Sequence, residues 1–278
     1  MLYVKGDIHG NIWELANACE LAHLTREDYL VVVGDCGIPF GVNAPHFDVS
    51  NFRGQVQELG YLNYNVVFVA GNHDDYDFIE QLPKVTKFNN DNVRQMAAFG
   101  KVIDNVWYIN EPGVYDIAGK HCLIVPGADS HDIWNGVLDP EDPDFEETLD
   151  NYIKHKGFFR VKHWSWWPQE AIKIDYIKEY MPQWIEDHFD LVLTHDCPTE
   201  FMDWNFNRYP TTDGEKALQW IYNMVPFDMW FHGHMHQDRW YKENIACIYW
   251  NYVNVDEMDG YDRNLLWEFN EEDWKDEE

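Results

Sequence analysis

Five short segments of the chain carry side chains suited to metal chemistry: Gly6-Asp7-Ile8-His9-Gly10, Gly34-Asp35-Cys36-Gly37, Gly71-Asn72-His73-Asp74, Thr194-His195-Asp196 and Gly233-His234-Met235-His236. Together they offer Asp7 and Asp35, Asn72 and five His as candidate donors, with Asp74 and Asp196 adjoining. Two neighbouring divalent ions need such a set when one carboxylate bridges them and imidazoles and a carboxamide complete the shells. Taken alone, D-x-H or G-D is a common polar turn. Asn72 is more informative, because Asn after a buried strand needs a task for its carbonyl oxygen. His234 and His236, two apart in a loop, would be an odd way to build a core, and alternate residues can serve two adjacent ions. The chemistry that this inventory suits is metal-dependent cleavage of a phosphate ester.

Each segment begins where a short apolar run ends. Residues 2–4, 29–33, 66–70, 123–125, 191–193 and 229–231 are rich in β-branched and aromatic side chains and read as buried strands. Helical patterns lie between several of them. Ile12, Leu15, Ala16 and Cys19 share a helical stripe after Asn11, the expected N-cap. Residues 172–184 give a second helix with Ile174, Ile177, Tyr180 and Met181 on one stripe. Strands alternating with helices predict an α/β fold, whose ligands bind beyond the carboxyl ends of the strands. The five segments can therefore converge on one crevice.

Later in the chain, 245–253 and 265–269 are expected to form a second, more antiparallel sheet. Residues 37–53 read as a loop, and 127–169 as a long loop insertion carrying Phe158-Phe159-Arg160 and Trp164-Ser165-Trp166-Trp167. Long excursions in compact domains tend to be functional or mobile. A single domain over 1–270 is expected, with an acidic tail at 271–278.

Fifty acidic against 20 basic residues give a net charge of -30 in a chain of 278. That field repels phosphate backbones, so duplex nucleic acid is a poor partner. A small phosphorylated substrate or a phosphopeptide stays open, because bound metals supply local positive charge. The five cysteines are widely spaced without a C-x-x-C pair, which fits a reducing compartment. Cys36 and Cys197 adjoin candidate ligands but read better as small buried hydrophobes. The chain enters its first apolar run at Leu2, leaving no room for a signal peptide, and no apolar stretch has the length of a membrane span. A cytoplasmic location without membrane partners is expected; the oligomeric state is not legible.

The ordered set D-x-H, G-D, G-N-H-D, H and G-H-x-H resembles the calcineurin-like metallophosphoesterase superfamily over about residues 1–238. The resemblance implies a sandwich of two mixed β-sheets flanked by helices, with its site at the carboxyl ends of the strands. It implies two divalent ions, Mn²⁺ favoured and Fe²⁺ or Zn²⁺ as alternatives. Asp7, His9 and His236 would hold one, Asn72, His195 and His234 the other, and Asp35 would bridge them. It further implies a bridging hydroxide attacking phosphorus, with His73 as the catalytic histidine that protonates the leaving oxygen. Two further pieces, Pro126-Gly127-Ala128-Asp129-Ser130-His131-Asp132 and Trp164-Ser165-Trp166-Trp167-Pro168-Gln169-Glu170, are similar to segments of small bacterial and prophage-type members.

One departure matters. In the protein-phosphatase branch G-D continues into D-R-G, whereas here it continues into Cys36-Gly37-Ile38-Pro39. The Arg that would grip phosphate must then come from elsewhere, and Arg160 is the candidate, set against an ordinary surface Arg. Trp164, Trp166 and Trp167 are either an aromatic wall for a flat leaving group, with Trp166 as the candidate substrate-binding residue beside Arg160, or core. Asp74 could orient His73; Asp129 and His131 could hold ligand imidazoles or form a plain polar turn. His23, His46, His121, His155, His163 and His188 read as structural or solvated, and His232 as a satisfied core histidine. Two rival functions remain: a metal-binding scaffold without turnover, and a nuclease acting on short single strands. The spare His73 argues against the first and the missing basic surface against the second.

Overall fold

Runs of Val, Leu and Ile without polar alternation must be covered on both sides, and they become the parallel centres of two sheets. The computed structural model describes residues 1–202 and 211–257. In the first sheet β1 (Leu2–Lys5), β2 (Tyr29–Val33), β3 (Asn65–Val69) and β6 (Lys101–Ile109) run parallel. The strand β15 (Tyr252–Asn254) closes one edge antiparallel to β1, and β5 (Asn90–Ala98) with β4 (Lys84–Lys87) extends the other. In the second sheet β8 (Lys120–Val125), β11 (Phe189–Thr194), β12 (Phe227–His232) and β14 (Ile245–Cys247) run parallel. Its antiparallel edges are β7 (Gly113–Ile117) and β13 (Arg239–Lys242).

Side-chain alternation along the strands builds three cores. Val31, Val33, Val67 and Val69 meet Ile124, Leu191, Leu193 and Phe231 between the sheets. The alternate residues Leu30, Val32, Val66 and Phe68 pack on the other side with Ile12 and Leu15 of α1 (Ile12–Ala22) and Phe52 and Val56 of α2 (Val49–Leu59). Beside them, α3 (Tyr76–Gln81) contributes Tyr76 and Ile79. Behind the second sheet, Leu123, Val125 and Val192 pack on α5 (Ile174–Ile185) and α6 (Asp213–Met224). The result is the expected α/β sandwich of two mixed sheets flanked by helices. No helix among the described residues is long and apolar enough to cross a membrane.

Several local expectations are corrected. Asn11 stands at the N-cap position of α1 as expected, but its side chain makes no cap bond; its amide donates to Glu14 at 3.2 Å. The stretch 37–53 is not loop throughout, because Asp48 accepts from the amides of Ser50 and Asn51 and starts α2 at Val49. Residues 127–169 hold α4 (Phe145–Lys154) and a parallel ribbon of β9 (Val137–Leu138) and β10 (Arg160–Val161). The run 245–253 does not stay in one sheet: β14 joins the second and β15 the first. Nor is the second sheet built from late antiparallel segments alone, since its centre is parallel. Residues 265–269 and the tail 271–278 lie outside the described residues.

Candidate metal centre

The turns after β1, β2, β3, β11 and β12 bring all five segments to one rim. His9, Asp35, His234 and His236 adopt φ of 44, 48, 66 and 50 degrees, in the left-handed region that non-glycine residues seldom enter. Strain of this kind persists where surrounding structure enforces it, and it clusters at functional sites. Two glycines make the approach possible. At Gly34, with φ of 98 degrees, a Cβ would fall 1.9 Å from Nδ1 of His195, and at Gly233 one would fall 2.1 Å from Oδ1 of Asp7. Any side chain there would displace a candidate ligand.

The donor atoms form two adjoining groups. In the first, Nε2 of His236 lies 3.2 Å and Nε2 of His9 3.8 Å from Oδ2 of Asp7, and the two nitrogens face each other at 3.0 Å. In the second, Nε2 of His195 lies 3.1 Å from both Oδ1 of Asp35 and Oδ1 of Asn72, with His234 alongside. Asp35 stands between them, its Oδ2 at 4.0 Å from Nδ1 of His9. The first group is partly open, His236 being 49% exposed, whereas His195 is fully buried.

These residues fit divalent ions. Imidazole nitrogens and carboxylate oxygens converge with their lone pairs aimed at the same space. Nε2 of buried His234 has no hydrogen-bond partner among the described residues. Nδ1 of His195 lies 3.0 Å from the Val33 carbonyl; donating there fixes the tautomer and leaves Nε2 as the ligating atom. Burial opposes ionisation of His195, yet the carboxylates of Asp35 and Asp7 push its pKa up to about 10. Burial likewise acts against Asp35 as an anion, and the His195 charge still holds it far below the usual carboxylate range.

Asn72 is steered from behind. Its amide nitrogen donates to Ser130 Oγ at 3.4 Å, and Ser130 donates to Glu170 at 2.6 Å, which leaves the Asn72 carbonyl oxygen facing His195. Burial pushes Glu170 up to about 8, from 4.5. The folded protein keeps that proton to a higher pH than the unfolded chain, so the buried carboxyl is without cost at low pH and destabilises increasingly as pH rises toward 8. Chelator-treated protein is expected to melt at falling temperature as pH rises from about 5 to 8, and Glu170→Gln to flatten the fall by a few kcal/mol, on the order set by the shift. An unchanged slope in the variant would overturn that assignment.

His73 projects into the site beside these groups, its backbone N–H donating to Asp35 at 2.7 Å. Its ring stacks on Phe40 at 5.5 Å, and Nη2 of Arg160 donates to its Nε2 at 2.8 Å. Burial, reinforced by Arg160 against the pull of Asp35, lowers the His73 pKa to about 4. Arg160 is no loose surface residue. Asp132 takes its Nε at 3.1 Å and its Nη2 at 2.7 Å, and Nη1 donates to the Ser165 carbonyl at 3.1 Å. Asp74 does not orient His73. Its carboxylate turns away to accept from the amides of Gly71 and Gly37 and from the thiol of Cys36, where backbone donors are closer than the neighbouring ring.

The tryptophans divide. Trp167 is fully buried and packs edge-on against Phe40, so it is core. Trp166 is half-buried on the turn after β10, and Trp164 is the member that borders the site, lining a cleft with His9 and Phe40. His131 reaches the crevice, its ring 5.1 Å from that of His234, whereas His121, His155, His163 and His188 pair with neighbouring carboxylates or a carbonyl. Buried His232 is only half satisfied: Nδ1 meets Gly233 at 2.9 Å and Nε2 has no partner among the described residues. Cys36 and Cys197 are free, buried and outside every donor group. Sequence reasoning missed Tyr249, which stacks on His236 at 4.5 Å and whose carbonyl accepts from buried Lys5. It also missed the role of Asp132, the last residue of the segment 126–132, as the acceptor that orients Arg160.

No curated protein matches the chain. Among solved structures it is similar to AQ665 of Aquifex aeolicus, a protein of unknown function, at 14% sequence identity over 82% of this chain and 87% of that one. The TM-score of that pair is 0.30, too low to support any detail. A family model for calcineurin-like phosphoesterases matches residues 2–238, a span that takes in all five segments. The chain belongs to the calcineurin-like phosphoesterase family.

Proposed function

We propose that the protein is a binuclear metal-dependent hydrolase of phosphomonoesters or phosphodiesters, with Mn²⁺ the favoured ion. The observation that carries this reading is the position of Asp35 between two groups of ligand atoms. Asp7, His9 and His236 would hold one ion, Asn72, His195 and His234 the second, and Asp35 both. Ions bound there would activate water and draw charge from the phosphoryl oxygens.

The chain's own residues supply the rest. Arg160 is already oriented by Asp132 and aims Nη2 into the site, so a phosphate oxygen can take the place of His73 as its acceptor. Released from Arg160, Nε2 of His73 is free to hold the proton that the leaving oxygen needs. Half-buried Phe40 stacks on the imidazole and covers one of its faces. A scaffold without turnover would have no use for an arginine and a spare histidine joined in this way.

The test is to strip the protein with chelator and reload it with Mn²⁺, Fe²⁺ or Zn²⁺. Elemental analysis is expected to find about two ions per chain, and the reloaded protein to cleave 4-nitrophenyl phosphate or its bis ester. One ion or none, or two ions with neither ester cleaved, would overturn the reading.

A further inference from the structure

An open cleft of about 370 Å³ runs from His9 toward the start of α2, bordered on its far side by Trp164. It opens directly onto the site, because Phe40 lines the cleft and stacks on His73 at 5.5 Å. Whatever is joined to a phosphate held at Arg160 and the ligand residues extends into this space. The character of the cleft therefore bears on the alcohol part of the ester.

Its walls are aromatic. Phe40, Phe47 and Trp164 border it, and buried Phe52 braces Phe47 at 5.7 Å. Trp164 is itself held edge-on by Phe145 of α4 at 5.4 Å, so the helix inside the 127–169 excursion fixes this wall. Between the rings stand two carboxamides, exposed Asn51 and Gln55, the latter anchored by donating to the Gly10 carbonyl at 2.8 Å. Neither Lys nor Arg is among the described residues that line it, and Asp48 adds negative charge. An acidic peptide or a second phosphate would meet no Lys or Arg here, only the imidazoles of His9 and exposed His46. A small aliphatic alcohol would leave the ring faces uncovered. A flat, uncharged ring with hydrogen-bonding edges suits both the aromatic faces and the carboxamides.

We infer that the cleft receives a nucleoside, its base against Phe40, Phe47 and Trp164, so that the substrates are nucleotide esters. The inference rests on the phosphoesterase reading and narrows it. In the reaction water adds to phosphorus, the P–O bond to the nucleoside breaks, and the departing oxygen takes up a proton. Stacking on aromatic side chains tolerates any base, so the preference is for nucleosides as a class.

The experiment has two arms. Isothermal titration of chelator-treated protein with adenosine, which carries no phosphate, reads the cleft alone. Hydrolysis of adenosine 5′-monophosphate and of glycerol 1-phosphate by reloaded protein reads selectivity. Adenosine is expected to bind, and kcat/KM for the nucleotide to exceed that for glycerol phosphate by on the order of 10-fold or more. Trp164→Ala is expected to weaken adenosine binding and bring the ratio toward unity; Phe47→Leu, which keeps bulk without a ring, is expected to do the same while remaining folded. Equal cleavage of both esters without adenosine binding would overturn the nucleoside cleft and leave the phosphoesterase standing. Adenosine binding that Phe47→Leu and Trp164→Ala weaken, with neither ester cleaved, would support the cleft and overturn the phosphoesterase.

Discussion

Asp35→Asn is expected to be the most damaging single substitution at the rim, lowering turnover by on the order of 10³-fold or more. Asp35 lies 4.0 Å from His9 of the first ligand group and 3.1 Å from His195 of the second, and it is almost fully buried. Asn keeps the shape but removes the charge and one anionic oxygen. The acceptor for the His73 backbone N–H survives, because the carboxamide oxygen can still take that bond. The loss therefore reports on the metals and not on the loop. Elemental analysis of the variant is expected to show fewer than two ions per chain. His236→Ala is the comparison, since His236 serves only the first group and is half-exposed. It is expected to weaken one ion and spare more activity. Equal losses in the two variants would mean that Asp35 does not bridge.

His73→Ala is expected to keep both ions and lose 10²–10⁴-fold in turnover, the range for removal of a positioned acid. The proposed ligand set gives each ion three donors besides Asp35, so it leaves His73 without a metal role although its ring lies near His9 and Asp35. The loss is expected to be smallest for a nitrophenol leaving group, which departs without a proton, and largest for an alkoxide. A uniform loss across leaving groups would show that His73 acts through charge or through Arg160. The pair offers its own check. Nη2 of Arg160 and Nε2 of His73 are 2.8 Å apart, so Arg160→Ala and His73→Ala are expected to be less than additive in combination.

Much of this site is legible in the chain because it is local. Asp7 and His9, Asn72 and His73, and His234 and His236 each sit within four residues of a strand end. A parallel strand ending in Gly and then a polar ligand can be read without knowing its neighbours. The apolar runs themselves are unambiguous, since strands buried on both faces show no polar alternation. The helices at 49–59 and 145–154 were harder, because both begin at Asp residues amid prolines and acidic side chains that resemble loop. The run 245–253 is apolar or aromatic except for Asn251, and nothing local says that the chain changes sheets within it.

The sequence by itself determined the donor set, its order, the strand ends that carry it and the shortage of surface cations. Those follow from residue type and short-range pattern. Tertiary structure alone decided which side chains meet across long stretches of chain. His73 and Arg160 are 87 residues apart, and only the packing of the β9–β10 ribbon onto the rim joins them. It decided that Asp74 serves backbone amides and Cys36, because the strained turn at Asp35 presents those donors first. It separated three neighbouring tryptophans into core, half-buried turn and cleft wall, since one turn after β10 points their rings in different directions. Composition and spacing are the same for all three; burial is a property of what folds over them.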